Sequence, residues 1–290
     1  MKICSVTILY KPSDAVADYI ATYAPFVDFL YIINNSNTDL QDLVTLINQK
    51  TSNTKIEFIN SKENAGIATS LNVACKLAVK NGYDWILTMD QDSYFVNATF
   101  FDQARPLLPE QNIGIIAASY YGKIPFKNDY SANFNQLLIA LTSGNLVNLS
   151  AWGKIHGFDE KLFIDEVDND FCLRLKQRQL LVLGSKQIFL QHSLGLEFSI
   201  RPLFTKKSRQ IGIHAPFRMY FTVRNGLYVS FKYFLESPFF SFHRWKNLVT
   251  KLLLTIFFYP DKRTYFYYYF KGVAHFISFN FKYNPLKRNQ

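Results

Sequence analysis

Trp85-Ile86-Leu87-Thr88-Met89-Asp90-Gln91-Asp92-Ser93 is an apolar run that ends on two carboxylates spaced by one residue. The run reads as a buried strand with the acids at its C-terminal end. In open α/β sheets that end is where ligands bind. Side chains two apart on an extended chain point the same way, so Asp90 and Asp92 can share one target. Hard oxygen ligands of this kind suit Mg²⁺ or Mn²⁺ bridging a diphosphate. Asp-x-Asp also arises by chance in surface loops, and the strand ahead of it is what separates the two cases. An EF-hand is excluded: counting from Asp90, that loop needs Gly at position 6 and Glu at position 12, where the chain has Phe95 and Phe101.

Upstream of this run, strand and helix signals alternate. Ile3–Leu9 is β-rich and ends near Pro12, and a helix follows over Asp14–Tyr23. Phe29–Ile33 is a short strand stopped by the turn cluster Asn34-Asn35-Ser36-Asn37, Leu40–Ile47 a second helix and Lys55–Ile59 a third strand. Ile67, Leu71, Cys75 and Ala78 recur at helical spacing. Strands separated by helices predict a parallel, Rossmann-like α/β half. Downstream, Ile113–Ser119 and Leu146–Leu149 read as strands and Asp168–Gln177 as a helix, while Leu180–Leu183 and Gln187–Leu190 read as a hairpin or edge pair.

The segment Phe163-Ile164-Asp165-Glu166-Val167-Asp168-Asn169-Asp170 packs four acids into six residues ahead of an apolar helix. Acids favour the positive end of a helix dipole, which accounts for one or two of them. A carboxylate in a site can also take a proton from an attacking hydroxyl.

Charge is divided unevenly. The 290 residues carry a formal net charge of +10, but residues 201–290 hold 16 Lys/Arg against only Glu236 and Asp261, and 24 of the 49 aromatics lie in residues 217–290. Cys4, Cys75 and Cys172 are far apart, with no zinc-like spacing, which predicts a reduced cytosolic compartment. Met1-Lys2-Ile3 runs straight into a strand, so no signal peptide is expected. The apolar stretches near Leu252–Leu254 and Ile256–Tyr259 are too short to span a bilayer.

In order and spacing, a set of motifs resembles glycosyltransferase family 2, inverting enzymes of the GT-A fold, and most of all its bacterial rhamnosyltransferase branch. Ile8-Leu9-Tyr10-Lys11-Pro12 resembles that family's first strand and turn. Asn34-Asn35-Ser36 stands where Asp-Asn-Ser is usual, with Asn34 in place of the acid. Asn64-Ala65-Gly66 resembles its Asn-x-Gly helix start, and Asp90-Gln91-Asp92 its Asp-x-Asp. Thr142-Ser143-Gly144, Gly157-Phe158-Asp159-Glu160, Asp170-Phe171-Cys172-Leu173-Arg174, Leu190–Gly195 and Pro216–Asn225 follow in the family's order. Val167 stands where Glu is common, as in the rhamnosyltransferase-like pattern.

The resemblance covers residues 3–230 and implies a GT-A catalytic domain over 1–230. Residues 1–92 would be its nucleotide-sugar half and 93–230 its acceptor half; beyond it, the basic, aromatic composition predicts a helical, membrane-associating region over 231–290. It implies Mg²⁺ or Mn²⁺ held by Asp90, Asp92 and His192, and donor contacts from Tyr10, Asn35, Asn64, Gly66, Asp90 and Arg224. Asp168 would be the catalytic base, with Asp170 and Asp165 as alternatives. The implied donor is dTDP-L-rhamnose and the implied acceptor a glycan or lipid-linked glycan in O-antigen or capsule assembly. Another donor, a UDP-hexose or UDP-galactofuranose, remains open. A dinucleotide oxidoreductase is excluded, because Tyr10-Lys11-Pro12-Ser13 stands where GxGxxG belongs. A nucleic-acid-binding protein remains a rival through the basic, aromatic tail. The tail also predicts peripheral attachment to the anionic cytoplasmic face of a membrane beyond about Pro238, since aromatic rings prefer the membrane boundary and cations its headgroups. The opposing expectation is a helical subdomain with these aromatics packed inward.

Overall fold

The structure of the protein is a computed structural model that describes residues 1–36, 38–51, 54–61, 63–118, 128–192, 197–200, 209–212 and 214–282. Ser119 of the expected strand Ile113–Ser119, and Ser193–Gly195 of the segment after Leu190, lie outside the described residues. The chain divides into two compact units. Met1–Phe163 with Val167–Ser193 form one, and Ile164–Glu166 with Leu194–Gln290 form the other.

The first unit contains, in chain order, β1 (Ile3–Leu9), α1 (Ala15–Ala21), β2 (Phe29–Asn34), α2 (Gln41–Lys50), β3 (Lys55–Asn60), α3 (Gly66–Lys80), β4 (Trp85–Asp90), β5 (Ser93–Phe95) and α4 (Thr99–Ala104). These are followed by β6 (Ile113–Ala117), β7 (Asn128–Asp129), β8 (Phe134–Leu137), β9 (Asn145–Asn148), α5 (Leu149–Lys154), α6 (Val167–Gln177), β10 (Leu181–Ser185) and β11 (Leu190–His192). Nine strands form one sheet in the order β3-β2-β1-β4-β9-β6-β10-β8-β7. The first four are parallel, as the strand–helix alternation predicts, and β9 enters antiparallel between β4 and β6. The sheet is therefore mixed.

All seven residues of β1 are buried, because helices cover both faces of a parallel sheet. That is why the strand reads as a nearly unbroken apolar run. Its buried Thr7 is satisfied by a hydrogen bond with Tyr23. Trp85, Leu87, Phe100, Phe101, Ile116 and Leu183 belong to the same core. Leu71, Cys75 and Ala78 give α3 its buried face, as their spacing predicts.

The expected pairing of Leu180–Leu183 with Gln187–Leu190 is corrected. β10 lies inside the main sheet, parallel to β6 and antiparallel to β8, whereas β11 pairs antiparallel with β5. Phe134–Leu137 was not expected as a strand at all. Its sequence, Phe-Asn-Gln-Leu, carries too few β-branched residues to announce one.

The second unit contains the antiparallel pair β12 (Glu197–Ile200) and β13 (Arg209–Gly212), and the helices α7 (Pro216–Lys232), α8 (Pro238–Phe258) and α9 (Lys262–Lys282). α7 packs against both α8 and α9. Met219, Val223, Leu248, Tyr259, Tyr265 and Tyr269 make their shared core. Among the described residues, no helix is long and apolar enough to cross a membrane.

Candidate active site

Strand register gathers the first group of candidate residues at one sheet edge. Ile8 stands opposite Asp90 and Leu9 opposite Asn34, so Tyr10, Asn35 and Asp90 leave neighbouring strands at the same level. Asp90, Gln91 and Asp92 are all half-buried. Gln91 has a structural task. Its Oε1 accepts from the Tyr10 N–H at 2.7 Å and its Nε2 donates to the Tyr10 carbonyl at 3.1 Å. This two-bond clasp ties the end of β1 to the carboxylate loop and leaves the Tyr10 ring exposed. On the other side of the loop, the Ser143 hydroxyl accepts from the Asp90 N–H at 3.0 Å, and the Gly144 N–H donates to the Thr88 carbonyl at 2.8 Å. Thr142-Ser143-Gly144 thereby holds the end of β4.

Asn35 is buried and faces α3. Its Nδ2 donates to Ser70 Oγ at 2.9 Å and to the Gly66 carbonyl at 3.4 Å, and its Oδ1 accepts from the Ser70 hydroxyl at 3.1 Å. Asn34 closes the turn below it, accepting from the Ser36 N–H and donating to Asn60 Oδ1. The exposed Asn64 accepts from the Gly66 N–H at 3.0 Å and shapes the start of α3.

Gly66 has φ +81°, and a Cβ there would stand 2.6 Å from both the ring and the carbonyl oxygen of Phe163. That carbonyl accepts from the Ile67 N–H, so the contact cannot easily relax. Gly66→Ala is therefore expected to cost about 2–4 kcal/mol through left-handed strain and overpacking combined. Urea denaturation measures this, and an unchanged midpoint would show that Phe163 yields.

Sequence reading missed Asn72. Its Oδ1 accepts from the Phe158 N–H and the Trp152 indole, and its Nδ2 donates to the Phe158 carbonyl and Glu160. Gly157, at φ +74°, is small because a Cβ would stand 2.6 Å from Asn72 Oδ1. Gly157-Phe158-Asp159-Glu160 is thus the socket of a buried amide on α3. The only sequence signal was a polar residue beside the apolar stripe of that helix.

The three acids stand in different surroundings. Asp170 is fully buried and accepts from Arg174 Nε at 2.8 Å, while Arg174 also donates to the Ile155 and Gly157 carbonyls. Asp165 lies in the second unit, where Arg218 approaches it at 2.9 Å and Thr222 donates at 2.9 Å. Burial alone would raise the Asp165 carboxyl, but the hydrogen bonds and charge of Arg218, with Thr222, outweigh it and hold the group below its ordinary value. Asp168 is half-buried in the first turn of α6, and its carboxylate accepts from the Asn169 N–H at 2.8 Å.

Between them, Asp165 and Glu166 both adopt positive φ, +65° and +66°. Such strain in two consecutive non-glycine residues persists only where neighbours over-determine it. Within the second unit, Asn225 Nδ2 donates to the Ile164 and Asp165 carbonyls, and the buried Glu166 pairs with Arg244.

Arg224 is in the second unit, with its guanidinium 5.4 Å from the Tyr220 ring and 5.2 Å from that of Phe221, and its Nε donating to Asn225 Oδ1. His192 ends β11 opposite Ser93, the residue after Asp92. Among the described residues, no three His, Cys, Asp or Glu side chains gather as a metal-holding group. The donor set at the β4 edge nonetheless suits Mg²⁺ or Mn²⁺, which typically use one or two protein carboxylates and take their other ligands from substrate phosphates and water.

The chain superposes on S. aureus TarS, residues 1–349 in complex with UDP-GlcNAc, with TM-score 0.63 and 13% identity over 96% of this chain and 81% of that one. It also superposes on the mannosyltransferase PcManGT of Pyrobaculum calidifontis, in complex with GDP-Man and Mn²⁺, with TM-score 0.59 and 11% identity over 100% of this chain and 88% of that one. The fold is that of the GT-A glycosyltransferases. In sequence, the chain is 26% identical over 218 residues to the dTDP-rhamnosyl transferase RfbF of Shigella flexneri, across 66% of this chain and 67% of that protein. No protein-family model matches. The solved structures share the fold, and it is the sequence relative that supports a glycosyltransferase.

Proposed function

We propose that the protein is an inverting glycosyltransferase that moves L-rhamnose from dTDP-L-rhamnose onto a hydroxyl of a glycan or lipid-linked glycan, in assembly of a bacterial surface polysaccharide such as O-antigen or capsule. The observation that carries this reading is the Asp90–Asp92 pair, half-buried at the C-terminal edge of the parallel part of the sheet and clasped to the end of β1 by Gln91. Similarity to a dTDP-rhamnosyl transferase supports rhamnose as the sugar. The TarS complex with UDP-GlcNAc keeps a UDP-sugar donor as the second reading.

In this reading the donor diphosphate lies at the β4 edge, with Tyr10 against the nucleoside. Asn35, Asn64 and Gly66 shape the wall formed by the start of α3. Asp90 and Asp92, with His192, would hold Mg²⁺ or Mn²⁺, which neutralises charge on a leaving diphosphate when bound. The acceptor hydroxyl oxygen attacks the anomeric carbon from the face opposite the diphosphate. A new glycosidic C–O bond forms as the bond to the phosphate oxygen breaks, and the nucleoside diphosphate leaves with the electron pair. Asp168 takes the hydroxyl proton. Attack from the opposite face inverts the anomeric centre.

A donor panel tests the reading. The protein, with Mg²⁺ or Mn²⁺ and an acceptor extract, should release dTDP from dTDP-L-rhamnose faster than UDP or GDP from UDP- and GDP-sugars. Preferential release of UDP would move the assignment to the second reading. No release from any donor would remove the transferase.

A further inference from the structure

The structure separates the aromatic residues of α8 and α9 into two sets. Phe240, Tyr265, Tyr269 and Phe276 are buried, as is Tyr259 between the two helices, so much of the expected inward packing is real. A second set faces outward. On α8, Phe239, Phe242, Val249, Leu253, Ile256 and Phe257 are exposed, with Phe257 60% and Leu253 48% accessible. Their spacing of three, four and seven places all six on one side of the helix, along about 27 Å of its length. Lys246 is the cation inside this stripe, whereas Ser241, Leu248 and Thr255 lie on the buried side. α9 repeats the arrangement with Tyr267, Phe270 and Ile277 exposed, and with Arg263 and Lys271 exposed beside them.

From this pattern we infer that the outer faces of α8 and α9 form an in-plane docking surface for an anionic lipid bilayer. Charge decides among the possible occupants. Neither 21-residue helix contains an Asp or Glu, and Lys246, Lys262, Arg263 and Lys271 are all exposed. A second copy of the chain seated on this face would set these four cations against their own copies, with only Asp261, at the start of α9, as an acid near them. A nucleic acid could stack on the aromatics, but Val249, Leu253 and Ile256 offer no ring and lie in the centre of the stripe. A lipid surface takes both parts, because the apolar stripe enters the acyl boundary while the cations meet anionic headgroups. The other cations of α8 are already engaged elsewhere. Arg244 pairs with Glu166, and the charge of Asp165 acts on Lys251, both within the same unit.

The test uses the full chain and vesicles of phosphatidylcholine with and without phosphatidylglycerol. The protein should sediment with the anionic vesicles only, and less as salt rises. Leu253→Glu combined with Phe257→Glu should weaken binding by at least about tenfold, since each substitution takes one large apolar side chain out of the acyl boundary. Both positions are exposed, so the melting temperature should hold, and Lys246→Glu with Lys271→Glu supplies a second variant that should lose binding through charge alone. Equal sedimentation with neutral vesicles, or none with anionic ones, would overturn the inference. So would a wild-type dimer, or salt-sensitive oligonucleotide binding, that the same substitutions abolish. Sedimentation needs no turnover, so failure here leaves the transferase reading standing.

Discussion

Asp168→Asn is expected to lower kcat by about 10²–10⁴, the usual share of general-base catalysis, while the KM for donor and the melting temperature stay near wild type. The expectation follows from where the three acids sit. Asp168 is half-buried at the start of α6, so part of it is open to an acceptor, and Asn replaces it with nearly the same shape. Asp170 is fully buried against Arg174, and Asp170→Ala strands that guanidinium in the protein interior. Breaking such a pair costs about 3–5 kcal/mol, so this variant should be judged by its unfolding as well as its rate. Single-turnover kinetics and thermal denaturation on both variants separate the two roles. If Asp168→Asn turns over normally and a well-folded Asp170→Asn is inactive, the base lies one half-turn further along α6.

Asp92→Asn should abolish turnover and remove the metal dependence of donor binding, because a neutral amide is a poor ligand for a hard cation. Excess EDTA should have the same effect on the wild-type protein. The backbone around Asp92 is held independently of its charge by the Gln91–Tyr10 clasp and by Ser143 beneath Asp90, so the variant should remain folded. Full activity of Asp92→Asn, or of wild-type protein in EDTA, would contradict metal-dependent transfer.

The parallel part of the sheet was legible because β1, β2 and β4 are buried on both faces and write that burial as apolar runs. β5, β8 and the true partners of β10 were not, because short strands with mixed polarity are specified by pairing and not by pattern. In the site, Asp90-Gln91-Asp92 was legible as a motif, but the clasp made by Gln91 depends on a partner 81 residues away. Nor could spacing rank Asp165, Asp168 and Asp170. What separates them is Arg174 within the same helix and Arg218 from α7, 53 residues beyond Asp165. The aromatic run Tyr265–Phe270 has no helical periodicity at all, so only packing reveals that Tyr265 and Tyr269 turn inward and Tyr267 and Phe270 outward. Asn72, a polar residue in an apolar helix, was the one buried organiser that a closer reading of α3 would have found.

The most direct test of nucleotide-sugar transfer at the β4 edge is calorimetric titration of dTDP-L-rhamnose into the protein with Mn²⁺ present. Saturable one-to-one binding to the wild type, lost in Asp92→Asn and in EDTA, is the result this account predicts. Absence of binding by any nucleoside diphosphate sugar, together with tight, salt-sensitive binding of a single-stranded oligonucleotide, would contradict it.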